Sequence, residues 1–213
     1  MRRITMLLFL AAILCPVAYA QSGADKQREQ RQALIEKHKA DFDYLLGDWE
    51  FTAENGDHGK FRGYWSAARL PGGQIIDEYR VVGDKDETYY VTTTVRAYNA
   101  GLDRWELIGM DSGGGLQDFG TAQRDGGEMR IEQRFGVSGL YPSFWKIRYR
   151  NIRPDAFSWS ADRSQDDGKT WTRDYQRLEA RRIGPARKPL ALTPPAGRTA
   201  DETGSKNERR ASP

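Results

Sequence analysis

The sequence predicts an all-β chain: an up-and-down antiparallel β-barrel of about ten strands, with a helix before it and a disordered tail after it. Three observations predict this. Short aromatic and β-branched runs recur from Asp41 to Arg182, with Gly, Asp and Asn clusters between them. No helical pattern separates the runs, so neighbours join through tight turns. Within the runs apolar and polar residues alternate, as in a sheet with one buried face, and closing the sheet on itself covers that face.

The chain opens, at residues 1–20, on what reads as a secretory signal. Arg2 and Arg3 form a positive start, Ile4 to Leu14 an apolar run too short to span a bilayer, and Ala18-Tyr19-Ala20 a small-x-small cleavage site. The product is expected to be exported, periplasmic or secreted, with no stable membrane span. The only cysteine, Cys15, leaves with the signal, so the mature chain has neither disulfide nor thiol chemistry. The 213 residues carry 33 basic and 30 acidic side chains, a net +3; losing Arg2 and Arg3 leaves 31 against 30, or +1. That balance gives no electrostatic case for nucleic acid. The length suits one domain with a real core.

Residues 21–40 read as an amphipathic helix. Ser22 and Asp25 resemble a capping box with Asp in place of Glu. Leu34, Ile35, His38, Phe42 and Leu45 recur at helical spacing, which places the last turns against the domain.

The barrel is expected over residues 41–182, with strands starting near Trp49, Lys60, Gln74, Thr88, Arg104, Gln117, Met129, Phe144, Ala156 and Trp171. Turns such as Asn55-Gly56, Gly72-Gly73 and Gly126-Gly127 supply positive φ. In Trp145-Lys146-Ile147-Arg148-Tyr149-Arg150 the apolar residues share one face and the basic residues the other. Residues 183–213 are Pro, Gly, Ala and basic in character, lack aromatics and have no period, and read as a disordered tail.

"SQDDGKTW", from Ser164 to Trp171, resembles the Asp-box hairpin of sialidase-type propellers. It occurs once, whereas a propeller repeats it blade by blade. It reads instead as the last hairpin. Asp166 accepts N–H bonds inside the turn, Gly168 takes positive φ, and Trp171 anchors the closing strand.

At Gly47-Asp48-Trp49, directly after a short helix ending in Leu45-Leu46, the chain resembles the calycin superfamily, which includes lipocalins and nitrobindin-like barrels. It is similar in particular to a bacterial group of exported lipocalin-like proteins of unknown function. Gly73 to Arg80, Tyr98 to Trp105, Met110-Asp111-Ser112 and Asp167 to Trp171 carry the likeness further. The residues support the same start: Gly47 ends the helix with positive φ, and Trp49 plugs the closed end of the barrel. The resemblance implies an Arg of the last strand over Trp49, a role that falls to Arg173 or Arg177. Nitrobindin-like proteins hold haem through a histidine late in the barrel. This chain has two histidines, His38 and His58, and none later. Both read as surface residues without metal-ligand spacing, so neither a metal nor a cofactor is expected.

Asp111-Ser112-Gly113-Gly114-Gly115 lacks the strand-to-helix setting of a nucleophile elbow. Three glycines in series also suit a phosphate cradle, but a flexible hairpin at the barrel mouth accounts for them. Adjacent Asp77 and Glu78 point to opposite faces, so at most one of them is internal. Tyr64, Tyr79, Tyr89, Phe119, Trp145 and Tyr149 join the aromatics that either line a cavity or fill it. The candidate ligand-binding set is Trp65, Glu78, Arg80, Tyr90, Arg96, Trp105, Asp111, Arg148 and Trp159, with no catalytic residue assigned. The leading reading is an exported barrel holding a hydrophobic or amphipathic small molecule without catalysis. The alternatives are an enzyme using carboxylate acid–base chemistry in that cavity, and an envelope interaction module. An exposed barrel edge would also offer pairing to a second copy, giving a homodimer.

Overall fold

A computed structural model describes residues 15–139 and 141–189. Residues 1–14 of the expected signal and 190–213 of the expected tail lie outside the described residues. Helix α1 (Cys15–His38) starts before Gln21, so Ser22 is an interior helical position rather than a cap, a correction to the expected capping box. From Gly23 to Lys37 its side chains are exposed apart from half-buried Leu34, and Ile35 stays 40% exposed. The amphipathic stripe therefore docks only at its end.

His38 makes that docking and is not the surface residue expected. Its ring stacks on Tyr98 at 4.9 Å, with Nδ1 2.8 Å from Asp41 Oδ2 and Nε2 3.5 Å from Asp103 Oδ1. The chain then buries Phe42 completely, turns through one 3-10 turn at Asp43–Leu45 and enters the barrel at Gly47 with φ +110°. A side chain there is excluded twice over, by the left-handed backbone and because a Cβ would stand 2.7 Å from the Gly184 carbonyl oxygen.

Ten antiparallel strands follow in series: β1 (Gly47–Asn55), β2 (Gly59–Arg69), β3 (Ile75–Val82), β4 (Thr88–Asn99), β5 (Arg104–Asp111), β6 (Gly115–Asp125), β7 (Glu128–Phe135), β8 (Ser143–Arg150), β9 (Ala156–Ser164) and β10 (Thr172–Gly184). Each pairs with its neighbours in sequence, and β10 returns to β1, closing the barrel. The closing register pairs Asp48 with Gly184 and Asn55 with Gln176. The ring leaves no free strand edge, which removes the expected ground for edge pairing with a second copy.

The turns are built as their residues dictate. Asp86, Asp103 and Asn151 take positive φ where no glycine is present, a conformation short polar side chains tolerate. In the last hairpin Asp167 and Gly168 both have positive φ, 58° and 88°. Asp166 accepts from the Thr170 backbone N–H at 2.8 Å and from the Thr170 hydroxyl at 2.6 Å, and these bonds hold its carboxyl down at about 2. Trp171 donates to the Gly168 carbonyl at 3.0 Å and carries the Lys146 ammonium 4.6 Å from its ring centroid, on the outside of the barrel.

Serial hairpins give the barrel two unlike ends. The hairpins after β2, β4, β6 and β8 lie at the end where β1 starts, together with Phe42, the 3-10 turn and the end of β10. That end is sealed. Trp49 and Phe42 have no exposed surface; Trp49 donates to the Leu45 carbonyl at 2.8 Å and meets Phe157 at 4.8 Å. Burying a ring the size of Phe42 stabilises the fold by ~1.5–3 kcal/mol. The hairpins after β1, β3, β5, β7 and β9 surround the other end, the mouth.

Candidate functional site

Inward-facing residues follow the period of two. On β3 these are Asp77, Tyr79 and Val81; on β4, Tyr90, Thr92, Thr94 and Arg96; on β7, Ile131, Gln133 and Phe135; on β8, Trp145, Ile147 and Tyr149. They do not meet across the barrel axis. They enclose a cavity of about 770 Å³ that opens between the mouth hairpins, where Tyr89 is 70% exposed and Tyr141 86%. The interior is open, and its volume lies in the range of sites that take drug-sized molecules.

The walls are aromatic. Tyr79 stacks on Phe51 at 4.7 Å and meets Trp65 edge-on at 5.4 Å, while Phe135 and Trp145 lie 4.9 Å apart. The floor is polar. Arg96 and Asp77 form a fully buried ion pair, and Trp65 Nε1 donates to Asp77 Oδ1 at 2.7 Å. The Arg96 guanidinium also lies 5.3 Å from the Phe42 ring centroid, so the ring that seals the closed end supports the floor from below.

Asp118 on β6 is the second internal carboxylate, 1% exposed and receiving Gln133 Nε2 at 2.5 Å. Burial pushes its carboxyl above the ordinary Asp value, and the Gln133 bond and the charge of Arg96 pull part of that back. Gly109 on the paired strand makes room for it, since a Cβ there would stand 2.1 Å from Asp118 Oδ2. Burial also raises the phenols of Tyr90 and Tyr149 to about 12, so both stay neutral donors.

Of the candidate residues, Trp65, Tyr90, Arg96 and Trp159 line this cavity. The others lie elsewhere and are corrected. Glu78 and Arg80 pair with each other at 2.5 Å on the outer face, because Asp77 and Tyr79 take the inner one. Arg148 is external too, 3.1 Å from Asp162. Trp105 is buried below the floor, edge-on to Phe42 at 5.1 Å and donating to Asp41 at 3.2 Å. Asp111 caps its own hairpin, accepting from the N–H groups of Gly113 and Gly114 at 2.8 and 2.6 Å. Those two N–H groups are thereby taken, which removes the phosphate-cradle reading. Phe119 points outward at 49% exposure.

The arginine over Trp49 is neither Arg173 nor Arg177. Both belong to the mouth end of β10, where Arg173 pairs with Asp162 at 2.7 Å and Arg177 with Asp174 at 2.8 Å. Antiparallel register places Arg182 opposite Trp49, and its Cζ lies 4.0 Å from the indole ring centroid.

Asp77, Thr92, Thr94, Asp118 and Gln133 are lining residues outside the candidate set. For Gln133 a signal exists: it shares its face with Met129, Ile131 and Phe135. For Asp118 the alternation misleads, because its neighbour Phe119 is the apolar one. Among the described residues no group of three His, Cys, Asp or Glu is placed to hold a metal ion, and no helix is long and apolar enough to cross a membrane.

No protein-family model and no curated protein matches the chain. Among solved structures it is similar to Rv2717c from M. tuberculosis, with a TM-score of 0.50 at 14% identity over 70% of this chain and 97% of that one. A redesigned β-barrel gives 0.37 at 10% identity, over 66% and 93% of the two chains. A fluorescence-activating β-barrel designed de novo gives 0.33 at 16% identity, over 66% and 95%. At 14% identity and a TM-score of 0.50 the first likeness speaks for the fold alone: a ten-strand antiparallel barrel.

Proposed function

We propose that this barrel is an exported binding protein that holds a hydrophobic or amphipathic small molecule in its interior without acting on it chemically. The observation that carries this reading is the cavity: about 770 Å³, aromatic-walled, sealed at one end and open at the other. A filled interior would have left no room for a ligand. Export rests on the signal-like start at residues 1–20. A distant place in the calycin superfamily is supported by Gly47-x-Trp49 at the barrel entry and by Arg182 over the Trp49 indole.

Asp118 favours a second reading. A buried carboxyl with a raised pKa, facing a cavity, is the group an acid–base enzyme requires. Native mass spectrometry of protein purified from its own host tests the first reading. A co-purified small molecule that leaves unchanged in mass supports a carrier; its release as a chemically altered product supports the enzyme. Repeated absence of any bound species in folded preparations counts against both.

A further inference from the structure

The charged side chains on the cavity wall, apart from His58 at the mouth, are Asp77, Arg96 and Asp118. Arg96 and Asp77 neutralise each other in a buried pair. Asp118 has no cationic partner within salt-bridge distance among the described residues; its side-chain hydrogen bond comes from the neutral amide of Gln133, at 2.5 Å. The ionised cavity thus holds one negative charge in excess, on a side chain that is 1% exposed. An unpaired buried carboxylate is costly, and it is relieved by a proton or by a cation.

We propose that Asp118 is the counter-ion for a cationic group on the ligand, so that the cavity selects ammonium-bearing aromatic or aliphatic molecules over neutral and anionic ones of the same shape. This rests on the cavity-binding reading and narrows it to a ligand class. Three features support it. Tyr90, on the cavity wall near Asp118, turns with Tyr79, Trp65 and Trp145 a ring of aromatic side chains to the same space, and aromatic faces attract an ammonium group. The Asp118 carboxylate packs over Gly109 in the space a side chain would take, so no β5 side chain stands there to give it a cationic partner. An anionic ligand reaching for Arg96 would find its charge already spent on Asp77 and would meet the field of two carboxylates. Burial's upward push on the Asp118 carboxyl fits a site completed by a positive ligand, since binding would restore the ionised form.

The test compares three probes of one shape, 1-naphthylmethylammonium, 1-naphthylmethanol and 1-naphthoate, by calorimetry on the full chain at pH 7.5. The ammonium is expected to bind at least about tenfold tighter than the alcohol, and the carboxylate weakest. In Asp118→Asn, which keeps an acceptor for Gln133, the ammonium-to-alcohol ratio is expected to collapse towards one. An alcohol or carboxylate that binds as tightly as the ammonium overturns the proposal and leaves the cavity-binding reading standing. A preference that survives in Asp118→Asn overturns the assignment to Asp118. Failure of all three probes to bind overturns the cavity-binding reading as well. The three-probe ranking needs no variant, so it decides the matter even if Asp118→Asn does not fold.

Discussion

Arg182 covers Trp49 and is held there by backbone. Its guanidinium donates to the carbonyls of Leu46 at 2.5 Å and Tyr44 at 2.9 Å, while its Nε donates to the Pro154 carbonyl at 2.5 Å. One side chain thus ties the barrel entry, the indole below it and the β8–β9 hairpin.

Replacing Arg182 by Met is therefore expected to cost ~2–4 kcal/mol in urea unfolding, because three carbonyls lose a charged donor along with the cation–π contact. Arg173→Ala and Arg177→Ala are expected to cost no more than about 1 kcal/mol each, since both arginines are exposed and screened by solvent. Asp162 also keeps Arg148 and the Asp174 N–H when Arg173 is lost. Equal losses in all three variants would contradict the assignment of the structural arginine.

The Asp77–Arg96 pair gives a second measurement. Asp77→Ala leaves a buried guanidinium without its carboxylate and strands the Trp65 N–H, a loss of ~3–5 kcal/mol. The double change Asp77→Leu with Arg96→Met removes both charges and is expected to recover most of it. A double variant as unstable as the single one would show that the pair does more than balance its own charge.

Asp118 has the opposite effect on stability. Its folded carboxyl lies above the ordinary Asp value of 3.8, so the folded state binds the proton more tightly than the unfolded chain. The penalty is absent below that ordinary value and grows as pH rises towards the folded one. Asp118→Asn is expected to melt at a higher temperature than the unaltered chain at pH 8 and at the same temperature near pH 3. A variant that is less stable at pH 8 would refute this.

Asp166 runs the other way. Held at about 2 by Thr170 and Ser164, it contributes stability that is fully present above the ordinary Asp value of 3.8 and is lost as pH falls through the folded value. The melting difference between the unaltered chain and Asp166→Asn should be largest near neutral pH and shrink towards pH 2. A difference constant in pH would assign the turn's stability to hydrogen-bond geometry alone.

Much of the fold was legible because local chemistry and global topology agree. Asn, Asp and Gly clusters end each strand, and the run from Trp145 to Tyr149 declares its inner face without ambiguity. The site was less legible because its walls mix aromatic and charged residues on both faces. In Ile76 to Arg80 either face is a plausible interior, and only closure of the ring turns Asp77 and Tyr79 inward. At Asp118 and Phe119 the pairing continues the alternation of Ala122 and Gly120, opposite Trp105 and Leu107, and so sets the polar residue inside and the ring outside. Arg182 was missed for a simpler reason: the register of β10 on β1, which sets it opposite Trp49, joins the two ends of the barrel and leaves no local mark in the sequence.

Closure of β10 on β1 also fixes where the chain comes and goes. The helix arrives and the last strand departs at the same pole, with Arg187 of the departing chain paired to Asp48 of the arriving one. The first and last residues of the barrel, Gly47 and Gly184, therefore both sit at its base. The entrance, ringed by five hairpins, opens at the opposite pole, so a molecule passing through it meets neither the arriving start of β1 nor the departing end of β10.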